Sequence, residues 1–71
     1  TPTDRIDFMV GDIGVEVKVK GAAHAVIRQL LRYLGEARIT ELVLFSTRAQ
    51  HTYVPSELLG KPVHRALYLT L

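Results

Sequence analysis

Apolar and polar residues alternate through the first twenty positions. Ile6, Phe8 and Val10 share one side of the run Arg5-Ile6-Asp7-Phe8-Met9-Val10. Ile13, Val15, Val17 and Val19 share one side of the run from Ile13 to Lys20. The two runs flank Gly11-Asp12, which predicts a β-hairpin closed by a two-residue turn. The period then changes. Ala23, Val26, Ile27, Leu30, Leu31 and Leu34 recur at helical spacing with His24, Arg28 and Arg32 on the opposite side. A helix over 22–34, stopped at Gly35, is the expectation. Leu42 to Phe45 are apolar without alternation, which suits a buried strand reached by a helical crossover and parallel to the strand before it. Residues 48–62 read as a loop with one helical turn from Ser56 to Leu59 ended by Gly60, and alternation returns from Val63 to Leu71. The order β-β-α-β-β is an α/β fold, a mixed sheet with one main helix.

A two-residue turn fixes the hairpin register. Val10 then faces Ile13, Phe8 faces Val15 and Ile6 faces Val17, so the apolar side chains fall on one side. The other side carries Asp7 directly opposite Glu16, and Lys18 opposite Arg5. A slip of one residue would scatter this pattern. Two carboxylates facing each other across an antiparallel pair repel. A cation between them removes the cost, and hard oxygen donors suit Mg²⁺ or Mn²⁺. Lys18 shares the face of Glu16 and can reach the same substrate without competing for the metal. The acid-x-Lys triplet alone carries little, since average composition produces it in roughly half of chains this size. What gives it weight is the opposed Asp7 and the uniform apolar face behind it.

Seventy-one residues bound the chain to one domain, 1–71, or a piece of a longer protein. Hydrophobic residues make up 48% of it, enough for a folded globule. There is no cysteine, which excludes disulfides and thiolate metal sites. The longest uninterrupted run of aliphatic and aromatic residues is far short of the ~20 residues of a membrane span, so a soluble, cytoplasmic protein with no membrane contact is expected. The net charge of +2 is distributed unevenly: residues 1–20 hold four acids and three bases, residues 21–71 three acids and six bases. An acidic cluster within a mildly basic surface suits a metal site facing a polyanion. His51 and His64 lack zinc-ligand spacing. One helix covers only one face of a sheet, and the leftover apolar surface predicts a homodimer.

At these residues the chain resembles the PD-(D/E)xK nuclease superfamily, which has a restriction-endonuclease-like core. That family places an Asp on one strand and (Asp/Glu)-x-Lys on the next, here Asp7 and Glu16-Val17-Lys18. RecB-like members add Gln-x-x-x-Tyr on the following helix, here Gln29 to Tyr33. The resemblance spans residues 4 to about 46. It departs from the family in having Ile6 where a Pro precedes the first Asp. The acidic residue that many members carry on a preceding helix has no counterpart, and would lie upstream of Thr1 or in another subunit. The resemblance implies hydrolysis of DNA phosphodiester bonds with Mg²⁺ or Mn²⁺ and no organic cofactor. Asp7, Glu16 and the carbonyl of Val17 would hold the ion, Lys18 would orient water or neutralise developing charge, and Gln29 and Tyr33 would position the phosphate or the lysine. For Tyr33, core packing is the other reading.

Lys20, Arg28, Arg48 and His51 are the candidate DNA contacts. Arg48 and His51 follow the buried strand, at the end where α/β folds place ligand loops. Two further classes compete with a nuclease. One is a non-catalytic module that keeps the nuclease-like fold and binds DNA or protein. The other is a small structural oligomer in which the charged hairpin face is an intersubunit surface.

Overall fold

The computed structural model describes residues 5–67. Strands β1 (Phe8–Val10) and β2 (Ile13–Lys18) lead into helix α1 (Ala23–Leu34) and strand β3 (Glu41–Ser46). A 3₁₀ turn (Ala49–Tyr53), the two-residue strand β4 (Glu57–Leu58) and strand β5 (Lys61–Leu67) follow within the described residues. The sheet runs β1-β2-β3-β5-β4 and is mixed, with β2, β3 and β5 parallel and a hairpin at each edge. The α/β class and the single main helix follow the reading of the sequence. The end of the last expected strand, Tyr68 to Leu71, lies outside the described residues.

The hairpin has the expected register, with Phe8 opposite Val15 and Val10 opposite Ile13. Its turn has positive φ at Gly11 (62°) and not at Asp12, the pattern of a type II′ turn, where glycine takes the first central position. Two expectations fail. Ser56 to Leu59 is not a helical turn: Glu57 and Leu58 pair with Pro62 and Lys61, and Leu59 and Gly60 close a second hairpin. Both turn residues have positive φ, 54° and 74°, so this turn has the type I′ pattern. Four residues are too few for a periodic signal to separate a helical turn from a tight hairpin. The stretch 48–62 also contains the 3₁₀ turn, which carries no periodic signal of its own.

The second correction concerns Ile6. It does not continue the Phe8–Val10 face opposite Val17, because the chain bends at Asp7 and Ile6 turns under the helix into the core. Gly14 makes room for it. A Cβ at Gly14 would lie 2.8 Å from Leu42 Cδ2 and 3.3 Å from Ile6 Cδ1. Helix α1 contributes Val26, Leu30, Tyr33 and Leu34 to a core shared with Ile39, Leu42, Leu44, Val54 and Val63. Leu42 and Leu44 thus face the helix, while Phe45 on the other face is 41% exposed. The run Leu42 to Phe45 is buried on one side only. The open face also carries Phe8, Val10 and Val17, all exposed.

Lys61 ties the two halves together. Its ammonium donates to three backbone carbonyls, of Leu34 (2.8 Å), Glu36 (3.2 Å) and Ile39 (2.7 Å). All three of its protons are used where α1 ends and its carbonyls lack helical partners. Lys61→Met keeps the stem and removes the charge. Urea unfolding should show a loss of about 1–3 kcal/mol. An unchanged midpoint and slope would mean that water replaces the ammonium without penalty.

Candidate catalytic site at the edge of strand 2

Strand β1 stops early. It pairs with β2 only at Ile13, Gly14 and Val15, and the bend at Asp7 leaves the β1-side edge of Glu16, Val17 and Lys18 without a backbone partner from that strand. The Asp7 side chain takes its place. Its Oδ2 accepts the Val17 N–H at 2.8 Å, and the Asp7 N–H donates to Glu16 Oε1 at 3.2 Å. Within a strand, one residue's N–H and C=O point to the same side. The Val17 carbonyl therefore faces the same edge as Asp7. The proximity of the two carboxylates agrees with the register read from the sequence, and the Val17 carbonyl, implied there only by the resemblance, faces the same edge.

Glu16 is 3% exposed, on the sheet face covered by the helix. Burial pushes its carboxyl pKa up, and the Asp7 charge pushes it further. The hydrogen bond from the Asp7 backbone and the nearby Lys18 ammonium oppose this without cancelling it. Lys18 Nζ lies 3.3 Å from Glu16 Oε2. The arrangement leaves a carboxylate in an environment that disfavours its charge, with one cation already beside it. A second, hard cation fits the donor set of Asp7, Glu16 and the Val17 carbonyl. Among the described residues no group of three or more His, Cys, Asp or Glu converges, so such an ion would complete its shell with water, as Mg²⁺ commonly does.

The loop after β2 is held from the β3 side. The Thr47 N–H donates to the Lys18 carbonyl (3.2 Å), Arg48 Nε to that of Val19 (2.9 Å) and His51 Nε2 to that of Gly21 (2.7 Å). Because Gly21 offers an acceptor, Nε2 carries the proton and Nδ1 accepts from the Ser46 hydroxyl. Ser46 Oγ in turn accepts the Arg48 N–H at 3.0 Å. Both ring nitrogens of His51 are engaged and the residue is buried. His51 is therefore a brace for the Lys18 loop, with no ring nitrogen left to hydrogen-bond to DNA. No local spacing in the sequence announces this, since Ser46 and His51 meet Gly21 only through the parallel pairing of β2 with β3.

Gln29 and Tyr33 meet as their spacing of four predicts, with Gln29 Nε2 donating to Tyr33 Oη at 2.8 Å. Tyr33 is buried, and its hydroxyl donates to the Arg5 carbonyl at 2.9 Å. The pair thus fastens the segment that carries Asp7. Lys20, Arg28 and Arg48 are exposed. Lys20 and Arg48 lie just beyond the ends of β2 and β3, beside the Lys18 loop, whereas Arg28 is on α1. Among the described residues, no helix is long and apolar enough to cross a membrane. Comparison with protein-family models, curated proteins and solved structures yields no match to this chain.

The raised Glu16 pKa has a signed consequence. The folded protein holds this proton more tightly than the unfolded chain, whose value stays near the ordinary 4.5. Stability from the protonated form is present below 4.5 and is lost as pH rises through the folded value. In metal-free buffer, Glu16→Gln should gain in thermal midpoint over the parent as pH rises from 4.5 to neutrality, with the gap closing below 4.5. A gap that stays constant across this range would show that the charge on Glu16 costs the fold nothing.

Proposed function

We propose that this protein is a divalent-cation-dependent nuclease that hydrolyses DNA phosphodiester bonds, a relative of the PD-(D/E)xK superfamily with its restriction-endonuclease-like core. The observation that carries this reading is the buried Glu16 carboxylate, held beside Asp7 and 3.3 Å from Lys18 at an open strand edge. Structural ion pairs are usually exposed and cheap to make, whereas this cluster places a charge where the fold disfavours it.

Asp7, Glu16 and the Val17 carbonyl would hold Mg²⁺ or Mn²⁺. When bound, the ion supplies Lewis-acid polarisation of the phosphate and a water of lowered pKa. Lys18, restrained by Glu16, presents positive charge where the phosphorane becomes more anionic. Gln29 and Tyr33 are positioning residues, acting through the Arg5 carbonyl on the placement of Asp7. Lys20 and Arg48 flank the Lys18 loop and suit contact with the phosphate backbone, while Arg28 offers a more distant one.

Purified protein should cut DNA with Mn²⁺ or Mg²⁺ and stop in EDTA. Glu16→Ala and Lys18→Ala should each lower the rate by at least about a hundredfold, with circular dichroism unchanged. Calorimetric Mn²⁺ binding should be lost with Glu16→Ala and kept with Lys18→Ala. Cutting that survives both substitutions would exclude the mechanism.

The exposed face favours a second component of this reading, a homodimer. Phe8, Val10, Val17 and Phe45 lie together on the sheet face that α1 leaves bare. At ~25 cal/mol per Å², covering a few hundred Å² of such surface is worth several kcal/mol. A second copy presents the same apolar patch and is self-complementary about a two-fold axis. Light scattering at micromolar concentration should give twice the chain mass, and Phe8→Asp should halve it. A parent protein that is a folded monomer at that concentration would contradict the dimer.

A further inference from the structure

A cavity of about 260 Å³ opens between the 3₁₀ turn and the end of β5, lined chiefly by Leu44, His51, Thr52 and Leu67. Its position follows from the strand register. Lys18 pairs with Ser46, and Ser46 with Leu67, so the three occupy one row across neighbouring strands and share the helix-covered face. Strands lie about 4.8 Å apart, which puts the Leu67 backbone roughly 10 Å from that of Lys18. That distance is of the order of one or two nucleotide units.

The lining is mixed, with Ser46, Thr52, Arg65 and Ala66 beside Leu44, His51 and Leu67. Leu44 and Leu67 supply aliphatic surface, and His51, with both nitrogens engaged, can offer a ligand only its ring surface. Arg65 also lines the space and keeps its positive charge. Its Nη1 donates to the carbonyls of Thr52 and Val54, at 2.9 Å each, and so pins the wall in place. The volume is below the roughly 300–1,000 Å³ of drug-sized sites, which suits a single planar ring system. A site that joins one ring surface and aliphatic contact with a few polar groups and a positive charge can take a nucleobase by stacking and hydrogen bonding.

We propose that this cavity is a nucleobase subsite, which receives a base of the strand being cut while its phosphate lies at Glu16 and Lys18. The assignment rests on the nuclease reading and adds the substrate feature that this reading lacks: a base that is unstacked at the site of cutting.

Two measurements test it. Oligonucleotides carrying one abasic position, moved stepwise along the strand, are cut in Mn²⁺ as single strands and as duplexes. One position near the scissile bond should lower kcat/KM about tenfold, in either arm, and other positions should have little effect. Thr52→Trp, which fills the cavity from an exposed position, should slow cutting of the intact strand and abolish the difference between intact and abasic strands. Independently of that variant's folding, addition of deoxyadenosine monophosphate to the parent protein should shift the methyl resonances of Leu44 and Leu67. Cutting with no positional abasic effect removes the subsite and leaves the nuclease reading intact. Shifts confined to the open face around Phe45 also remove it. A protein that neither cuts nor binds DNA removes both.

Discussion

Among the described residues a single twelve-residue helix lies on a five-stranded sheet, and it covers one face only. Which face is covered decides most of the rest. The helix takes the side with Leu42, Leu44 and Val63, and on β2 that side carries Gly14, Glu16 and Lys18 rather than the valines. The hairpin therefore brings little apolar bulk to the core. Ile6 compensates by bending out of the strand into the space over Gly14, and that bend shortens β1. The exposed edge of β2, the burial of Glu16 and the capping of Val17 by Asp7 all follow from the same choice.

The site is thus paid for by the core. A glutamate under a helix is a poor packing element, and its raised pKa records the conflict between solvation and fold. Around it the structure is stiff. Tyr33 holds the segment before Asp7, while Ser46, Arg48 and His51 hold the loop after Lys18. The charged pair between them is fixed from both ends by hydrogen bonds that use backbone carbonyls rather than other charges. This gives positional precision without neutralising the carboxylates. The open face is the counterpart of the covered one, and its phenylalanines and valines stay exposed.

Local periodicity made the hairpin, its register, the helix and the central strand legible, because each pattern reports which residues share a side within one element. The meeting of Gln29 with Tyr33 is of this kind, set by a helical repeat of four, whereas Asp7 lies beyond the paired strand and reaches Glu16 through its backbone N–H. Short-range reading failed at Ser56 to Leu59, where four residues ended by Gly60 read as a helical turn. A two-residue hairpin with positive φ at both turn positions won there, although Leu59 is an unusual residue for that geometry.

The sequence by itself put Glu16 and Lys18 on one side of β2 with Asp7 near them, since a two-residue turn sets the register of the hairpin. Only the tertiary structure decided that this cluster would lie on the helix side and be partly withdrawn from water, because alternation separates two faces without saying which one is covered. It also decided the role of His51. The distance in sequence from His51 to Gly21 is bridged by parallel pairing of β2 with β3, a long-range contact that no local pattern encodes. A side chain's register is a property of its own strand, whereas its burial belongs to whatever packs against it.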